Sequence, residues 1–309
     1  MKVLVIGYGS IGKRHCSVLQ LLIPGIEIVV VTKQKLDNFE TYEKIQDVIE
    51  IDSFNYFIIS TETIKHFEQL FLLNDKVKDK DILVEKPIFS DFNIGLEKIQ
   101  NRIYCGYNLR FHPIISELKE QLYIERILSI SVICGQYLPS WRPDTDYRLC
   151  YSASKERGGG VVYDLSHELD YISWLCGSFV DLKSIGGKIS NLEINSNDYA
   201  SVIGITNKKT FVSIVLDYLS FVPQRKIVLN TDSKTFEADL VNNTLLISNI
   251  EVRSSKVFEG MDKNVTYKKM HEAILLHHGN DVATYEEAKK VIDTIKLIED
   301  RNKEFLSYL

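Results

Sequence analysis

Continuous apolar runs alternate with amphipathic stretches along about the first 110 positions of the chain. Lys2–Ile6, Ile26–Val31, Tyr56–Ser60, Asp81–Val84 and Ile103–Tyr107 read as strands buried on both faces, because a half-exposed strand would alternate polar and apolar side chains. Helical spacing fills the gaps at Lys13–Leu22, around Thr41–Val48, from Lys65 to about Leu73, and from a Ser90-Asp91 cap to about Ile99. Strand and helix in alternation predict a doubly wound parallel sheet.

Beyond about residue 124 the period changes. Arg126–Tyr137, Leu182–Ile189, Tyr199–Ile205, Thr210–Leu219, Lys226–Asn230, Lys234–Leu240 and Thr244–Ser248 are strand-like and separated by turn residues. Val212, Ile214, Leu216 and Tyr218 fall on one face, with Ser213 and Asp217 on the other, the two-residue period of a sheet packed on one side. Helical runs flank these strands at about Pro113–Tyr123, Val162–Cys176, Lys268–His277 and Tyr285–Phe305. The expected class is α/β. A doubly wound parallel sheet should span residues 1–120, and an α+β domain with a large, mainly antiparallel sheet residues 121–309, its C-terminal helix packing back.

Composition acts mainly by exclusion. At 309 residues the chain is long for one core and comfortable for two. A net charge of −5 gives no basic footprint for nucleic acid or an anionic membrane. No run approaches the roughly 18 uninterrupted apolar residues of a membrane span. The first strand begins at Lys2, leaving no room for a targeting segment, and Cys16, Cys105, Cys134, Cys150 and Cys176 have no paired spacing. A cytoplasmic location follows as the expectation. His271, His277 and His278 make no ligand spacing with nearby acids or cysteines, so no metal is expected.

The first strand runs straight into Gly7-Tyr8-Gly9-Ser10-Ile11-Gly12 and then a helix, the strand–turn–helix context of a dinucleotide-binding Rossmann turn. Gly7 permits the tight turn, Gly9 lets the backbone approach a pyrophosphate, and Gly12 lets helix and strand pack closely. The N–H groups at the helix start would face the phosphates. Where NAD enzymes commonly place an acid for the ribose, this chain has Val31-Thr32-Lys33-Gln34-Lys35. No carboxylate there repels a 2′-phosphate, and Thr32 with Lys33 could bind one, so NADP is favoured with NAD possible and FAD disfavoured.

Four further patterns follow in order: Ser60-Thr61-Glu62-Thr63 leading to His66, Glu85-Lys86-Pro87, Gly106-Tyr107-Asn108-Leu109-Arg110-Phe111-His112-Pro113, and Gly158-Gly159-Gly160 leading to Asp164, His167 and Asp170. The first three lie at carboxyl ends of parallel strands, where open α/β sheets bind ligands. With the glycine turn they resemble the glucose–fructose oxidoreductase / inositol dehydrogenase (Gfo/Idh/MocA) family of nicotinamide-dependent sugar and polyol oxidoreductases, over nearly the whole chain. The resemblance implies that Lys86 and His167 face the carbon exchanging hydride, accompanied by Asp164, and that Lys86-Pro87 is a cis peptide. It also implies cofactor contacts from Gly7, Gly9, Ser10, Ile11, Gly12, Ser60, Thr61, Thr63, His66, Glu85, Lys86 and Asn108, beside the Thr32 and Lys33 already read from the residues, and a homodimer or homotetramer.

The chemistry agrees with that assignment. Oxidising a secondary alcohol, or reducing its ketone, moves a proton on oxygen as hydride moves on carbon. Histidine is the natural shuttle, and a desolvated lysine can polarise the same oxygen. Two departures weaken the match. Asp164 and His167 are three positions apart where the family commonly has four, so Asp170 competes to orient the ring. Glu62 replaces a proline in the family's T-P-N pattern. Taken singly, Lys86 beside Glu85 also reads as a surface pair, His167 as a satisfied helix histidine, and His66 and His112 as structural.

On the substrate side, Arg110, Trp141, Arg142, Tyr147, Arg148, Tyr151 and Arg157 cluster in sequence, with Arg110, Tyr147, Arg148, Tyr151 and Asp170 the candidate contacts. Aromatic faces suit sugars and arginines suit phosphate or carboxylate; ordinary surface arginines are the plain alternative. The expected activity is an NAD(P)-dependent dehydrogenase or reductase acting on the CH–OH or carbonyl group of a sugar, sugar nucleotide or polyol. Two alternatives stay open: a catalytically silent dinucleotide-binding sensor on the same scaffold, and a reductase of a non-sugar such as a linear tetrapyrrole or an imine.

Overall fold

The computed structural model describes residues 1–91, 94–141, 145–260 and 262–306, with side chains through residue 302. β1 (Lys2–Ile6) leads into α1 (Ser10–Leu22), then β2 (Glu27–Val31), β3 (Glu40–Tyr42), β4 (Tyr56–Ile59), α2 (His66–Lys76), β5 (Asp81–Val84) and β6 (Arg102–Cys105). Next come α3 (Pro113–Gln121), β7 (Ile127–Gly135), α4 (Val161–Asp164) and α5 (His167–Cys176). The strands β8 (Phe179–Gly187), β9 (Tyr199–Thr206), β10 (Phe211–Asp217), β11 (Gln224–Thr231), β12 (Thr235–Asp239), β13 (Thr244–Ser248) and β14 (Arg253–Val257) follow. α6 (Val265–Leu276), β15 (Ala283–Thr284) and α7 (Tyr285–Leu306) close the chain.

Two compact units result. The first combines Met1–Phe111 with Asp262–Ile292, the second His112–Met261 with Asp293–Leu309. In the first, the sheet order is β15-β6-β5-β4-β1-β2-β3, with β1 to β6 parallel and β15 antiparallel on β6. Strand order reverses between β1 and β4, so the carboxyl ends of those strands flank the crevice where doubly wound sheets take ligands. The apolar runs are buried on both faces as their composition requires, Val3 to Val5 and Phe57 to Ile59 being at 0% exposure. α6 joins this core from the far end of the chain, with Tyr267, Met270, Ala273 and Ile274 packed in one cluster with Cys16 and Leu19 of α1.

The second unit holds an eight-stranded sheet, β14-β13-β12-β11-β7-β10-β9-β8, antiparallel except where β7 and β10 run together. Val212, Ile214, Leu216 and Tyr218 are buried in line, as their two-residue period requires. The opposite face stays open. Ile203, Ser213, Ser131 and Val228 stand in one cross-strand row on it.

Several local expectations fail for identifiable reasons. The run around Thr41–Val48 forms β3 and a short 3₁₀ turn at Ile45–Asp47 instead of an α-helix, because β3 pairs in parallel with β2. Residues 94–99 of the expected Ser90–Ile99 helix are not helical; Phe92 and Asn93 lie outside the described residues. Other elements take up the segment's backbone groups: Asn74 binds Lys98 and Gln100, Lys289 donates to the Ile94 carbonyl, and Leu96 N–H donates to the Tyr285 hydroxyl. The Val162–Cys176 run is two helices, α4 and α5, broken at Leu165-Ser166, so Asp164 and His167 do not share one helical face. β14 escaped the pattern because all five of its residues are exposed and it is held only as an edge strand on β13.

Candidate active site

The glycine turn takes the form its sequence dictates. Gly7 has φ +96°, a region closed to most side chains, and its N–H donates to the Val31 carbonyl at 3.0 Å. A side chain at Gly12 would collide with the Gly7 carbonyl, which is the close helix–strand approach. Gly9 is the opposite case: a Cβ there would meet nothing within 4 Å. α1 begins directly after it, with no side-chain cap and no acid in its first turn. Its leading N–H groups and positive dipole end are therefore available to an anion, so this turn fits a dinucleotide pyrophosphate.

The neighbouring strand ends bring the other candidates of this unit to the same sheet edge. Ser60 and Thr61 follow β4; the Ser60 hydroxyl donates to the Gly7 carbonyl at 3.0 Å and so braces the glycine turn. Thr61 donates to Gln69 at 2.7 Å, and Thr63 opens a 3₁₀ turn leading into α2. His66 is buried between two carbonyls, Nδ1 at 3.1 Å from Pro87 and Nε2 at 3.2 Å from Thr61. Burial pushes its pKa below the ordinary value of 6.5. It ties the Thr61 loop to the turn after β5, a structural role. Thr32 and Lys33 follow β2, with Thr32 half-buried and Lys33 exposed.

After β5, Glu85 is 8% exposed, and the Lys86–Pro87 peptide is cis. The Lys86 N–H donates to Glu85 Oε2 at 3.3 Å, and His15 Nε2 lies 3.0 Å from Oε1. Gly106, after β6, leaves room for that carboxylate; a Cβ would stand 2.7 Å from Oε1. Asn108 is buried and donates to Thr266 of α6 at 2.8 Å. Arg110, expected at the substrate, is instead 2% exposed and ion-paired with Glu287 at 3.2 Å. It lies in the 3₁₀ turn Asn108–Phe111, buried with Asn108 and Phe111, where a charge requires a partner.

In the second unit, Gly159 packs so closely that a side chain would strike the carbonyls of Tyr151, Ser152 and Ser154. Asp164, at the end of α4, is buried and accepts a 2.6 Å hydrogen bond from Tyr218. His167 opens α5 and is half-buried. The next residue, Glu168, is fully buried and ion-paired with Arg225 of β11 at 2.8 Å, which anchors the start of that helix. Asp170, 1% exposed, lies one turn further on. Arg148 is exposed and engaged by Asp146 and Glu193 at 2.8 and 3.1 Å, so its charge is locally balanced. Tyr151 is half-buried, and Arg142 lies outside the described residues.

A cleft of about 350 Å³ in this unit is lined by Tyr137, Tyr147, Ser190, Leu219 and Phe221, among others. Tyr137 and Phe221, which are not among the candidates read from sequence, stand with ring centroids 4.6 Å apart. They sit beyond the carboxyl ends of β7 and β10, which run in parallel as neighbours.

Residues 1–100 match the family profile GFO_IDH_MocA, described as an oxidoreductase family with an NAD-binding Rossmann fold. Solved structures of similar fold cover nearly the whole chain. UDP-N-acetylglucosamine 3-dehydrogenase GnnA from Acidithiobacillus ferrooxidans superposes with a TM-score of 0.79 at 18% identity, covering 99% of each chain. Levoglucosan dehydrogenase, solved with NADH and L-sorbose, gives 0.83 at 13% identity over 98% of this chain and 97% of that one. An NAD binding oxidoreductase from Klebsiella pneumoniae gives 0.82 at 13% identity with the same coverage. No curated protein matches by sequence.

Among the described residues no helix is long and apolar enough to cross a membrane, and no group of three or more His, Cys, Asp or Glu is placed to hold a metal ion. Burial pushes the thiols of Cys16, Cys134 and Cys176 up to about 12, far from reactive thiolates.

Proposed function

We propose that this protein transfers hydride between a nicotinamide dinucleotide and the hydroxyl or carbonyl carbon of a sugar, sugar nucleotide or polyol. The observation that carries the reading is the glycine turn: an uncapped helix start, open space at Gly9 and a tight approach at Gly12, beside a sheet edge that also presents Lys86. Such a turn suits a pyrophosphate, and the family match concerns this same region. When bound, the nicotinamide supplies the redox step. The chain's own task is then to orient the substrate and move a proton on its oxygen.

Lys86 and His167 are the groups we assign to that proton. Lys86 donates to the substrate oxygen and holds it polarised, while His167 gives or takes the proton. Asp164 is fixed by Tyr218 at the end of α4 and supports the cationic form of His167, with Asp170 the competing carboxylate. Ser60 and His66 act on the cofactor loop from behind. Thr32 and Lys33, with no acid beside them, favour NADPH over NADH. The aromatic cleft of Tyr137, Tyr147 and Phe221 suits the apolar face of a sugar ring, and the dehydrogenases of similar fold act on such compounds by their names. With Arg148 balanced by two carboxylates, this cleft favours a neutral sugar portion over an isolated phosphate.

The open face of the second sheet exposes Ile203, Phe211 and Val228, at 59%, 66% and 40%. A flat row of this kind pairs readily with itself across a twofold axis, so we assign a homodimer or homotetramer formed through it. A cytoplasmic location agrees with the charge and cysteine pattern. The test of function is nicotinamide absorbance with a panel of sugars and polyols: turnover that requires Lys86 supports the reading, and dinucleotide binding without turnover on any of them favours a silent sensor.

A further inference from the structure

Four polar side chains form an unbroken line through the apolar core of the first unit. The Tyr56 hydroxyl is 3.1 Å from His271 Nδ1; His271 Nε2 is 2.9 Å from His15 Nδ1; His15 Nε2 is 3.0 Å from Glu85 Oε1. Tyr56, His271 and His15 are at 0% exposure and Glu85 at 8%. They come from four elements: β4, α6, α1 and the turn after β5. Tyr267 packs edge-on against His15 at 5.3 Å, so apolar and aromatic atoms enclose the line.

Proton counting gives the line a direction. Three links join four groups, and each link needs one hydrogen. A carboxylate can only accept, so His15 must carry its proton on Nε2 and donate to Glu85. A neutral His15 then accepts at Nδ1, which requires the proton of His271 on Nε2. His271 in turn accepts at Nδ1 from the Tyr56 hydroxyl. Every donor and every acceptor is matched, with both rings neutral. The alternative is a His15 imidazolium, which would reverse the His271 ring. It would leave the Tyr56 hydrogen without an acceptor at a site of zero exposure, at the cost of an unmade buried hydrogen bond. Burial, and then the neighbouring His15, push the His271 pKa well below 6.5. Burial raises that of Tyr56, which keeps its hydroxyl proton.

We propose that Tyr56, His271 and His15 are positioning residues, forming a one-way hydrogen-bond brace that holds the Glu85 carboxylate beneath the turn bearing Lys86. Glu85 is gripped on both oxygens, by His15 at Oε1 and by the Lys86 N–H at Oε2. Gly106 closes against it. Because His15 lies on the helix that follows the glycine turn, the brace ties the phosphate-facing helix to the lysine turn and keeps the two in register. The assignment of a purpose rests on the nicotinamide reading given above; the proton order does not.

The test has two arms. Protein labelled with ¹⁵N on its histidines is examined at pH 7 by long-range proton–nitrogen correlation. The expected result is that His15 and His271 are both neutral and protonated at Nε2, and that Tyr56→Phe changes the His271 pattern while leaving His66 untouched. An imidazolium at His15, or a wild-type His271 protonated at Nδ1, overturns the proposal. The second arm titrates NADPH and NADH into wild type, Tyr56→Phe and His15→Phe. Binding weakened three-fold or more in both variants, with folded circular-dichroism spectra, supports the brace. Unchanged binding in variants whose tautomers have shifted overturns it. If wild type binds neither dinucleotide while the tautomers are as expected, the nicotinamide reading fails, and with it the purpose assigned to the brace.

Discussion

Tyr218 donates its hydroxyl proton to Asp164 across 2.6 Å in the interior of the second unit. Tyr218 lies just past β10 and is fully buried, and burial first, then the carboxylate, holds its own proton tightly. One oxygen of Asp164 is thereby fixed before any ligand arrives. Asp164→Asn keeps the shape but removes the charge. We expect it to slow turnover less than His167→Ala if Asp170 shares the supporting role, and equally if Asp164 acts alone. Steady-state rates of the two variants, and of the double change with Asp170→Asn, separate these outcomes.

Lys86→Ala and His167→Ala should each cut turnover by about 10²–10⁴, the usual loss on removing a proton-transfer group. Dinucleotide affinity should stay nearly intact in both. Comparison of kcat with a separately measured cofactor Kd decides the point, since a folding defect would lower both together.

In the proposed reading, cofactor choice turns on Lys33. A charge-assisted contact with a 2′-phosphate contributes about 1.5–3 kcal/mol, or ten-fold and more in affinity. Wild type should bind NADPH more tightly than NADH, and Lys33→Asp should reverse the order. Equal binding of both dinucleotides by calorimetry contradicts the assignment.

Stability should fall on acidification through the histidine range. Burial lowers the folded-state pKa of both His66 and His271 from 6.5, so below that value the unfolded chain takes up protons that the folded chain refuses. Their contribution is therefore fully present above about 6.5 and is lost as pH drops toward their folded values. Thermal unfolding between pH 7.5 and pH 5.5 should show a decreasing Tm. His66→Gln should flatten the slope, because glutamine donates to one carbonyl without titrating.

Arg225 faces Glu168, whose side chain has no exposed surface. Arg225→Leu leaves that carboxylate buried without its partner, a change that typically costs about 3–5 kcal/mol. Urea unfolding should reveal the loss. A variant that also carries Glu168→Leu should recover much of it.

The two sheets could be read from the sequence because each has its own period. Continuous apolar runs such as Tyr56–Ile59 require burial on both faces, and the alternation from Val212 to Tyr218 requires one. The glycine turn was legible for a similar reason: Gly7, Gly9 and Gly12 act on backbone within a few positions of themselves. Long-range ties were hidden. His15 and His271 meet across 256 positions, and along the sequence His271 is only a histidine without ligand spacing. The Ser90–Ile99 run looks helical on local grounds, yet Tyr285 and Lys289 claim its backbone from near the other end of the chain. Arg110 read as a surface or substrate arginine because its partner, Glu287, is equally remote.

A crystal structure of the protein with NADPH bound would test directly the roles proposed for the glycine turn, Lys86 and His167. The pyrophosphate should lie on the N–H groups at the start of α1, and the side-chain nitrogens of Lys86 and His167 should converge within about 3.5 Å of one substrate-oxygen position beside the nicotinamide C4. A dinucleotide bound elsewhere, or a Lys86 side chain directed to solvent with the cofactor in place, would contradict those roles.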